Sequence, residues 1–119
     1  MVTKEWINQE LGTYTETDDE GNKVWYLNGD RHRKDGPAIE YANGDKCWYL
    51  NGQLHRTDGP AIEWANGSKS WYLHNQLHRE DGPAVENADG SKSWYLHDQK
   101  IECDSQEMFE RMCKLKAFW

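Results

Sequence analysis

The 119-residue sequence lacks the features that mark several large classes of protein. No stretch approaches the roughly 18 consecutive apolar residues of a membrane-spanning helix, and Met1–Trp6 contains no apolar run of the kind that begins a secretory signal peptide. The three cysteines, Cys47, Cys103 and Cys113, are odd in number and match no metal-binding spacing. We therefore expect free thiols in a reducing cytoplasm.

Basic residues are scarce. The chain has 14 Lys and Arg against 21 Asp and Glu, which gives a formal net charge of -7 at pH 7. Neutralising phosphates requires a clustered Lys/Arg surface, so this charge disfavours direct binding to nucleic acid. The chain also has no basic amphipathic stretch, and we expect no membrane association. The acidity suits a basic partner.

What the sequence does contain is a repeat of 23 residues between Lys23 and Gln99. Each copy reads Lys-x-Trp-Tyr-Leu, a turn, His-Arg-x-Asp-Gly-Pro-Ala, a short strand and a second turn. The mean hydropathy of -1.10 suits a disordered chain, but disorder does not place Trp and Tyr periodically. A fixed period predicts stacked units that are stable only against their neighbours. The recurring positions to which we assign structural roles are Trp25, Trp48, Trp71, Trp94, Tyr26, Tyr49, Tyr72, Tyr95, His32, His55, His78, Asp35, Asp58 and Asp81.

Two turns in each repeat predict two short hairpins. Asn-Gly at 43–44 and at 51–52 lies between strand-like runs, and this dipeptide favours a two-residue type I′ turn. Such a turn at 43–44 pairs Ile39 with Trp48 on one face and leaves Cys47 on the other. The fold class is therefore mainly β, an elongated antiparallel meander of 23-residue β-hairpin repeats with a Trp ladder. The sequence leaves open whether the sheet stays flat, twists or curls.

The second turn and the prolines complete this prediction. A two-residue turn at 51–52 sets Trp48 beside His55 and Tyr49 beside Leu54. Proline removes a donor from the ladder, so we expect the prolines at strand starts. These prolines are Pro37, Pro60 and Pro83.

The beginning of the chain departs from the repeat. Residues 1–22 are predicted to form an N-terminal cap with a degenerate repeat, in which 14–17 is a worn strand. We expect 3–11 to be either a short helix or an edge strand, anchored by Trp6 and Ile7. Residues 23–101 then carry the 23-residue β-hairpin repeats.

The end of the chain, residues 102–119, is predicted to be a capping helix in the same structural domain. The His-Arg pair of the repeat becomes Ile-Glu at 101–102, and Asp104 or Ser105 suits a helix N-cap. We expect a helix over 105–117 that closes the end of the sheet; a partner-binding helix is the alternative. The apolar residues predicted to share one face are Met108, Met112, Leu115 and Trp119.

The His-Arg-x-Asp segment has residue types that carry out catalysis. A His beside an Asp can act as a general base with its orienting carboxylate, but three copies argue against an active site, which is single and asymmetric. We expect the Asp to cap its turn and the His to pack on a neighbouring Trp. The Arg is expected to pair with a glutamate: Glu40, Glu63 or Glu86.

Metal binding has little support in the sequence. His74 and His97 lie 23 residues apart, and His78 follows His74 by four. Zinc needs three or four converging ligands, whereas a repeat spaces side chains in rows. There is no Gly-rich phosphate loop and no Ser/His/Asp set, so we expect no metal, no cofactor and no enzymatic activity.

The unit Tyr-Ala-Asn-Gly-Asp-Lys-Cys-Trp-Tyr-Leu-Asn-Gly at 41–52 is similar to the MORN-type repeat. It resembles in particular the short variant found in toxin-neutralising proteins of bacteria. The fuller Trp-Tyr-Leu-Asn-Gly-x-x-His-Arg-x-Asp-Gly-Pro-Ala form looks like repeat proteins encoded by tailed bacteriophages. The resemblance covers 23–99 and implies an open row of β-hairpins that presents a surface to another macromolecule; some members are linked to membranes. Later repeats depart from it, with His-Asn at 74–75 and His-Asp at 97–98 in place of Asn-Gly.

These features favour a non-enzymatic protein-binding module. The hypothesis is a phage inhibitor that occludes a host defence protein in the bacterial cytoplasm, with a nucleic-acid-binding protein as one candidate target. The alternatives are nucleotide or small-ligand sequestration, in which Trp, His and Arg hold a base and phosphate, and an oligomerising structural protein that forms a homodimer. The candidate partner contacts are Glu40, Tyr41, Glu63, Trp64, Glu86, Phe109 and Trp119.

Overall fold

A computed structural model describes residues 1–115 of the chain, and residues 116–119 lie outside the described part. The described residues form short strands followed by one helix. The elements are β1 (Thr3–Asn8), β2 (Thr13–Thr17), β3 (Lys23–Leu27), β4 (Asp30–Arg31), β5 (Ile39–Glu40), β6 (Lys46–Cys47), β7 (Tyr49–Leu50), β8 (Gln53–Leu54), β9 (Ile62–Glu63), β10 (Lys69–Ser70), β11 (Tyr72–Leu73), β12 (Gln76–Leu77), β13 (Val85–Glu86), β14 (Lys92–Leu96), β15 (Gln99–Ile101) and α1 (Gln106–Leu115).

The fold is mainly β, as predicted. The main sheet runs β1-β2-β3-β5-β6-β9-β10-β13-β14-β15, with β4 beside β3, and the pairs β7–β8 and β11–β12 form hairpins of their own. Adjacent strands are antiparallel throughout. Ten strands have nine intervals of about 4.8 Å, which span roughly 43 Å between the outer strands, and the longest dimension is 50 Å. The sheet is therefore an open, elongated row.

The first turn of each repeat contains three residues and not the two that the sequence predicts. The Tyr41 amide donates to the Asp45 carbonyl at 2.9 Å, which closes a loop of residues 42–44. Gly44 has a φ of 100°. This is the geometry of a type I turn followed by a left-handed residue, which requires only one positive φ in the loop.

The three-residue turn shifts the pairing register by one residue. Ile39 lies opposite Cys47, and Glu40 lies opposite Lys46. Because side chains alternate between the two faces of a strand, Trp48 lies on the face of Glu40 and Lys46. The prediction that Trp48 pairs with Ile39 is wrong, and the Trp residues face a charged surface.

The second turn confirms its prediction. Tyr49 pairs with Leu54, and Asn51 and Gly52 have φ values of 51° and 80°, the pair of positive values that a type I′ turn requires. The later repeats keep this geometry with other residues, since the turn at 74–75 has φ values of 48° and 66°. Asn-Gly was therefore not required for the turn to form.

Each Trp lies where the chain passes from the first hairpin to the second. The Trp48 amide donates to the Ala61 carbonyl at 2.7 Å, and its carbonyl accepts from the His55 amide at 3.1 Å. The prediction that Trp48 lies beside His55 is confirmed. The same two bonds recur at Trp25 and Trp71. Ala61 is fully buried, so a larger side chain has no space there.

One side of the sheet, which we call the charged face, carries Lys and Glu in alternation. From β3 to β14 the cross-strand partners alternate in charge, so each Glu has a Lys on both sides. Opposite-charge pairs of this kind each contribute about 0.2–1 kcal/mol. The charged face consists of Lys23, Trp25, Arg33, Glu40, Lys46, Trp48, Arg56, Glu63, Lys69, Trp71, Arg79, Glu86 and Lys92.

The other side, which we call the tyrosine face, carries aromatic side chains over small and aliphatic ones. Cys47, Ser70 and Ser93 occupy one position of successive repeats, and Cys47 and Ser70 are buried. Apolar and small side chains here allow neighbouring rings to lie close to the sheet. The tyrosine face consists of Tyr26, Tyr41, Tyr49, Trp64, Tyr72 and Tyr95 with Ile39, Cys47, Ile62, Ser70, Val85 and Ser93.

The N-terminal end is an edge strand, one of the two predicted alternatives. The predicted worn strand is confirmed as β2, and β1 pairs with it. All six residues of β1 are exposed, and Ile7, at 61% exposed, does not anchor the segment. Trp6 is 47% exposed but contacts β2, since its ring lies 5.1 Å from Tyr14, which stacks on Tyr26 at 5.0 Å.

The C-terminal helix covers the last repeat. Ser105 is its N-cap, since the Ser105 hydroxyl accepts from the Met108 amide at 3.1 Å. The predicted apolar face is wrong: Met108 is 41% exposed, whereas Phe109 is fully buried and packs with Trp94 and Leu96. The helix therefore stabilises the end of the sheet, as a solenoid cap does.

Candidate functional site

The arginines of the charged face bind side chains of their own repeat. The Arg56 guanidinium carbon lies 3.8 Å from the centroid of the Trp48 ring. Its Nε donates to Asp58 at 2.9 Å and its Nη1 to Glu63 at 2.9 Å. Equivalent contacts occur at Arg33 and Arg79. The predicted Arg–Glu pairing is confirmed, whereas Asp, expected to cap its turn, is bound by arginine.

The histidines link neighbouring repeats. The Nδ1 atoms of His32, His55 and His78 accept from backbone amides one repeat further on, at 2.9, 3.0 and 3.0 Å. An accepting Nδ1 is unprotonated, so these rings are neutral with the proton on Nε2. We predicted that each His packs on a neighbouring Trp ring. Instead, the guanidinium of the adjacent Arg stacks on that ring. Burial is the main cause that lowers the pKa of all three rings.

The His-Arg-x-Asp segments therefore do not assemble a general-base pair in the described residues. The carboxylate of each Asp accepts from Arg, and Nδ1 of each His accepts from a turn amide. Within residues 1–115, no group of three or more His, Cys, Asp or Glu side chains is arranged to hold a metal ion. The same residues include no helix that is long and apolar enough to cross a membrane.

Open grooves lie at the junctions between repeats. Three of them have volumes of 430, 480 and 630 Å³. The first is lined by Trp48, Leu50, His55 and Arg56 together with the loop at 33–36 of the preceding repeat. The size suits a small ligand, but Arg56 already covers the Trp48 ring and donates to three oxygens. The arginines that line these grooves are therefore already engaged in internal contacts.

The tyrosine face differs because its rings are open to solvent. Tyr41 and Trp64 occupy the same position of successive repeats and are 42% and 38% exposed. Tyr49, Tyr72 and Tyr95 form a second row and are half-buried. Two rows of aromatic rings along an elongated sheet form a continuous contact surface of the kind that Tyr- and Trp-rich binding sites use.

Neighbouring groups hold these rings in place. The Arg31 guanidinium lies 5.4 Å from the centroid of Tyr49, with Nη1 at 3.5 Å from its hydroxyl. Burial, then the nearby Cys47 and Tyr49, raise the pKa of Tyr41. Burial also raises the pKa of Tyr72. The phenols of Tyr41 and Tyr72 are therefore neutral hydrogen-bonding groups at physiological pH.

Cys47 forms part of the floor between the two rows. It is 9% exposed, and burial raises its pKa to about 11. A thiol with this pKa has little thiolate at neutral pH and is a poor nucleophile. Its role is to provide a small side chain beneath the rings.

The acidic charge lies away from this surface. Residues 23–101 hold ten basic and eleven acidic residues, whereas 1–22 hold one basic and six acidic residues. The glutamates proposed as partner contacts, Glu40, Glu63 and Glu86, are bound by arginines at 3.3, 2.9 and 3.0 Å. The repeats are therefore close to electrically neutral, and these glutamates stabilise the fold.

The structure separates the other proposed contacts. Tyr41 and Trp64 lie together on the tyrosine face, Phe109 is buried beneath the helix, and Trp119 lies outside the described residues. Tyr49, Tyr72 and Tyr95 were assigned only structural roles, although they contribute half-exposed rings to the same face. Each of these Tyr residues follows Cys47, Ser70 or Ser93 by two positions, which places the two side chains on the same face of a strand. Identifying that face as the aromatic one required the correct pairing register of the first turn.

Comparison of the chain with protein-family models and with curated proteins finds no match.

Proposed function

We propose that the chain is a non-enzymatic protein-binding module that occludes a surface of its partner through the tyrosine face. The observation that carries this proposal is the pair of aromatic rows. Tyr41 and Trp64 remain exposed, while the small floor residues let the second row lie close to the sheet. Protein interfaces favour such rings because they supply large contact area at low conformational cost.

The partner we propose is a host protein, and the resemblance to phage-encoded repeats favours an inhibitor of host defence in the bacterial cytoplasm. The extended shape supports this role. A sheet 50 Å long and 18 Å thick can cover a large area of a partner with few residues. Standard protein interfaces bury about 800 Å² on each partner, an area that a face of this length can provide.

Capture from bacterial lysate tests the proposal. The tagged protein is incubated at low and high salt, and the retained proteins are identified by mass spectrometry. We expect one stoichiometric partner that stays bound at high salt, because the tyrosine face carries little net charge. A partner released by salt would place the interface at the acidic residues 1–22 instead. Absence of any stoichiometric partner contradicts the proposal.

Small-ligand sequestration is the second candidate function, favoured by the grooves of 430–630 Å³. A ligand there has to displace the arginine from the Trp ring or insert beside it. Thermal unfolding in the presence of nucleotides distinguishes this function, since a ligand that binds only the folded state raises the melting temperature. If millimolar nucleotide does not raise the melting temperature, this candidate function is excluded.

A further inference from the structure

We propose that the tyrosine face recognises an uncharged, proline-rich segment in the polyproline II conformation. This inference rests on the proposed function and names the class of partner. It is carried by three features of the tyrosine face: the spacing of its rings along the sheet, the two-row arrangement over a floor of small residues, and its charge balance.

The spacing of the rings matches the polyproline II repeat. Each 23-residue repeat adds two strands to the main sheet, and strands lie about 4.8 Å apart, so one repeat advances about 9.6 Å. Tyr49 and Tyr72 lie in the hairpins β7–β8 and β11–β12, outside the main sheet. The amides of Arg33, Arg56 and Arg79 donate to the carbonyls of Tyr49, Tyr72 and Tyr95 at 3.1 Å each, so these rings follow the same step. A polyproline II helix has three residues per turn and rises about 3.1 Å per residue, which gives about 9.3 Å per turn. From Tyr49 to Tyr95, two repeats, the mismatch stays below about 1 Å.

Other regular peptides fit this spacing less well. Side chains on one face of a β-strand recur about every 6.7 Å, which leaves about 3 Å of mismatch in each repeat. Two turns of an α-helix span about 10.8 Å, which exceeds the ring spacing by about 1.2 Å. Over several repeats only the polyproline II period keeps each ring opposite an equivalent residue.

The two rows flank a floor of small residues. Strand alternation places Tyr41, Cys47 and Tyr49 on the same face, and the Tyr41 phenol is close enough to Cys47 and Tyr49 for both to raise its pKa. Tyr72 is likewise within electrostatic range of Tyr49 and Tyr95. Ser70 is buried at the same position of the next repeat. A ridge of pyrrolidine rings fits between aromatic walls, which is how aromatic-lined grooves hold Pro-rich segments.

The charges and hydrogen-bonding groups complement this occupant. The charged side chains that strand alternation places on this side of the sheet nearly balance, with Lys4, Arg31 and Lys100 against Glu16, Asp18 and Asp45. Asp98 near Tyr72 adds one further negative charge. A proline segment has no charge and no backbone N–H, but its carbonyls are free because polyproline II has no internal hydrogen bonds. The neutral hydroxyls of Tyr41 and Tyr72 can donate to these carbonyls. Its preformed conformation also reduces the entropy lost on binding.

Titration of the full chain with capped decaproline, followed by two-dimensional NMR, tests the inference. A Gly-Ser peptide of equal length is the negative control, and a linear β-1,4-glucan oligosaccharide is the competing uncharged polymer. We expect saturable shifts with a dissociation constant below about 1 mM, confined to amides of the strands that carry the tyrosine face. Tyr72→Ser is expected to weaken binding at least about tenfold, and Gln76→Ser, exposed on the opposite face, to leave it unchanged.

Each outcome has a defined meaning. Decaproline shifts at the tyrosine face of the unmodified protein support the inference even where Tyr72→Ser lowers stability. No saturable shift, shifts equal to those of the Gly-Ser peptide, or binding of the oligosaccharide alone overturns it. If decaproline fails but lysate capture still depends on Tyr41 and Trp64, the inference fails and the proposed function stands; if both fail, both are wrong.

Discussion

The Arg56 guanidinium stacks on the Trp48 ring at 3.8 Å while it donates to Asp58, Glu63 and the Pro60 carbonyl. One side chain thus holds the second hairpin, the Asp-Gly-Pro turn and the next strand together. The arrangement recurs in three repeats with nearly the same distances. It explains how a thin sheet with few buried residues keeps its shape.

Replacing this arginine with lysine is expected to destabilise the fold. Arg56→Lys keeps the charge but loses the planar stacking and can satisfy fewer of the three acceptors. We expect the free energy of unfolding to fall by about 1–3 kcal/mol, measured by urea denaturation. The matched control is Arg111→Lys, whose exposed pair with Glu107 lies at 3.4 Å and is expected to contribute less than about 0.5 kcal/mol. Equal effects of the two substitutions contradict the role of Arg56.

The helix is expected to act as a cap. Phe109→Ala removes a fully buried ring from its contacts with Trp94 and Leu96, and should lower the free energy of unfolding by about 3–5 kcal/mol. Met108→Ala, on the exposed side, should change it by less than about 1 kcal/mol. Both values come from the same denaturation measurement. An unchanged stability in Phe109→Ala would favour the alternative of a partner-binding helix.

Burial limits the size of the side chain at position 61, where the Ala61 carbonyl accepts from the Trp48 amide. Ala61 is fully buried, so Ala61→Leu should overpack the site and cost about 1–3 kcal/mol. Ala65, four residues later, is exposed, and Ala65→Leu is expected to change stability by less than about 0.5 kcal/mol. Thermal unfolding of the two variants compares these effects. A larger loss in Ala65→Leu than in Ala61→Leu would mean that the repeat interior lies elsewhere.

The histidine links should make stability depend on pH. The folded-state pKa of His32, His55 and His78 is lowered below the usual 6.5, by burial first and then by Lys34, His74 and His97 respectively. Below about pH 6.5 the unfolded state binds more protons than the folded state, so the free energy of unfolding falls as pH decreases. Asp30 and Glu80 oppose the shift at His32 and His78.

Urea denaturation between pH 7.5 and 5.5 measures this dependence. Replacing the three histidines with Asn retains an acceptor without a titrating group, and should remove most of the dependence. Replacing only His74 and His97 with Asn should remove a smaller part, because burial remains. A triple variant that loses stability on acidification as steeply as the unmodified protein contradicts the assignment.

The sequence predicted where the strands and turns lie more reliably than which side chains share a face of the sheet. The Asn51-Gly52 turn and the Arg–Glu pairs follow from local rules, since turn chemistry and opposite charges act over short distances. The Asn43-Gly44 turn fits either a two-residue or a three-residue loop, because Gly44 supplies a positive φ in both. The length of this loop, two or three residues, determines whether Trp48 or Cys47 lies opposite Ile39. It therefore also determines which rings form the candidate site.

The helix shows a second limit of local pattern. Both Met108 and Phe109 lie on stripes of apolar residues at helical spacing, and the pattern alone does not rank them. The contact between the Trp94 indole, which donates to Gln106 at 2.8 Å, and the neighbouring Phe109 decides the orientation. This contact joins a strand and a helix that are distant in the sequence, so local sequence patterns do not predict it.

The central claim is that the tyrosine face binds the partner, and quantitative lysate capture with matched variants tests it most directly. Tyr41→Ser combined with Trp64→Ser removes the two exposed rings. Gln76→Ser combined with Gln99→Ser changes two exposed residues, also 23 apart, on the opposite face. We expect the first variant to lose the captured partner while it still unfolds in one cooperative transition, and the second to retain the partner. Equal retention by both variants would contradict the claim.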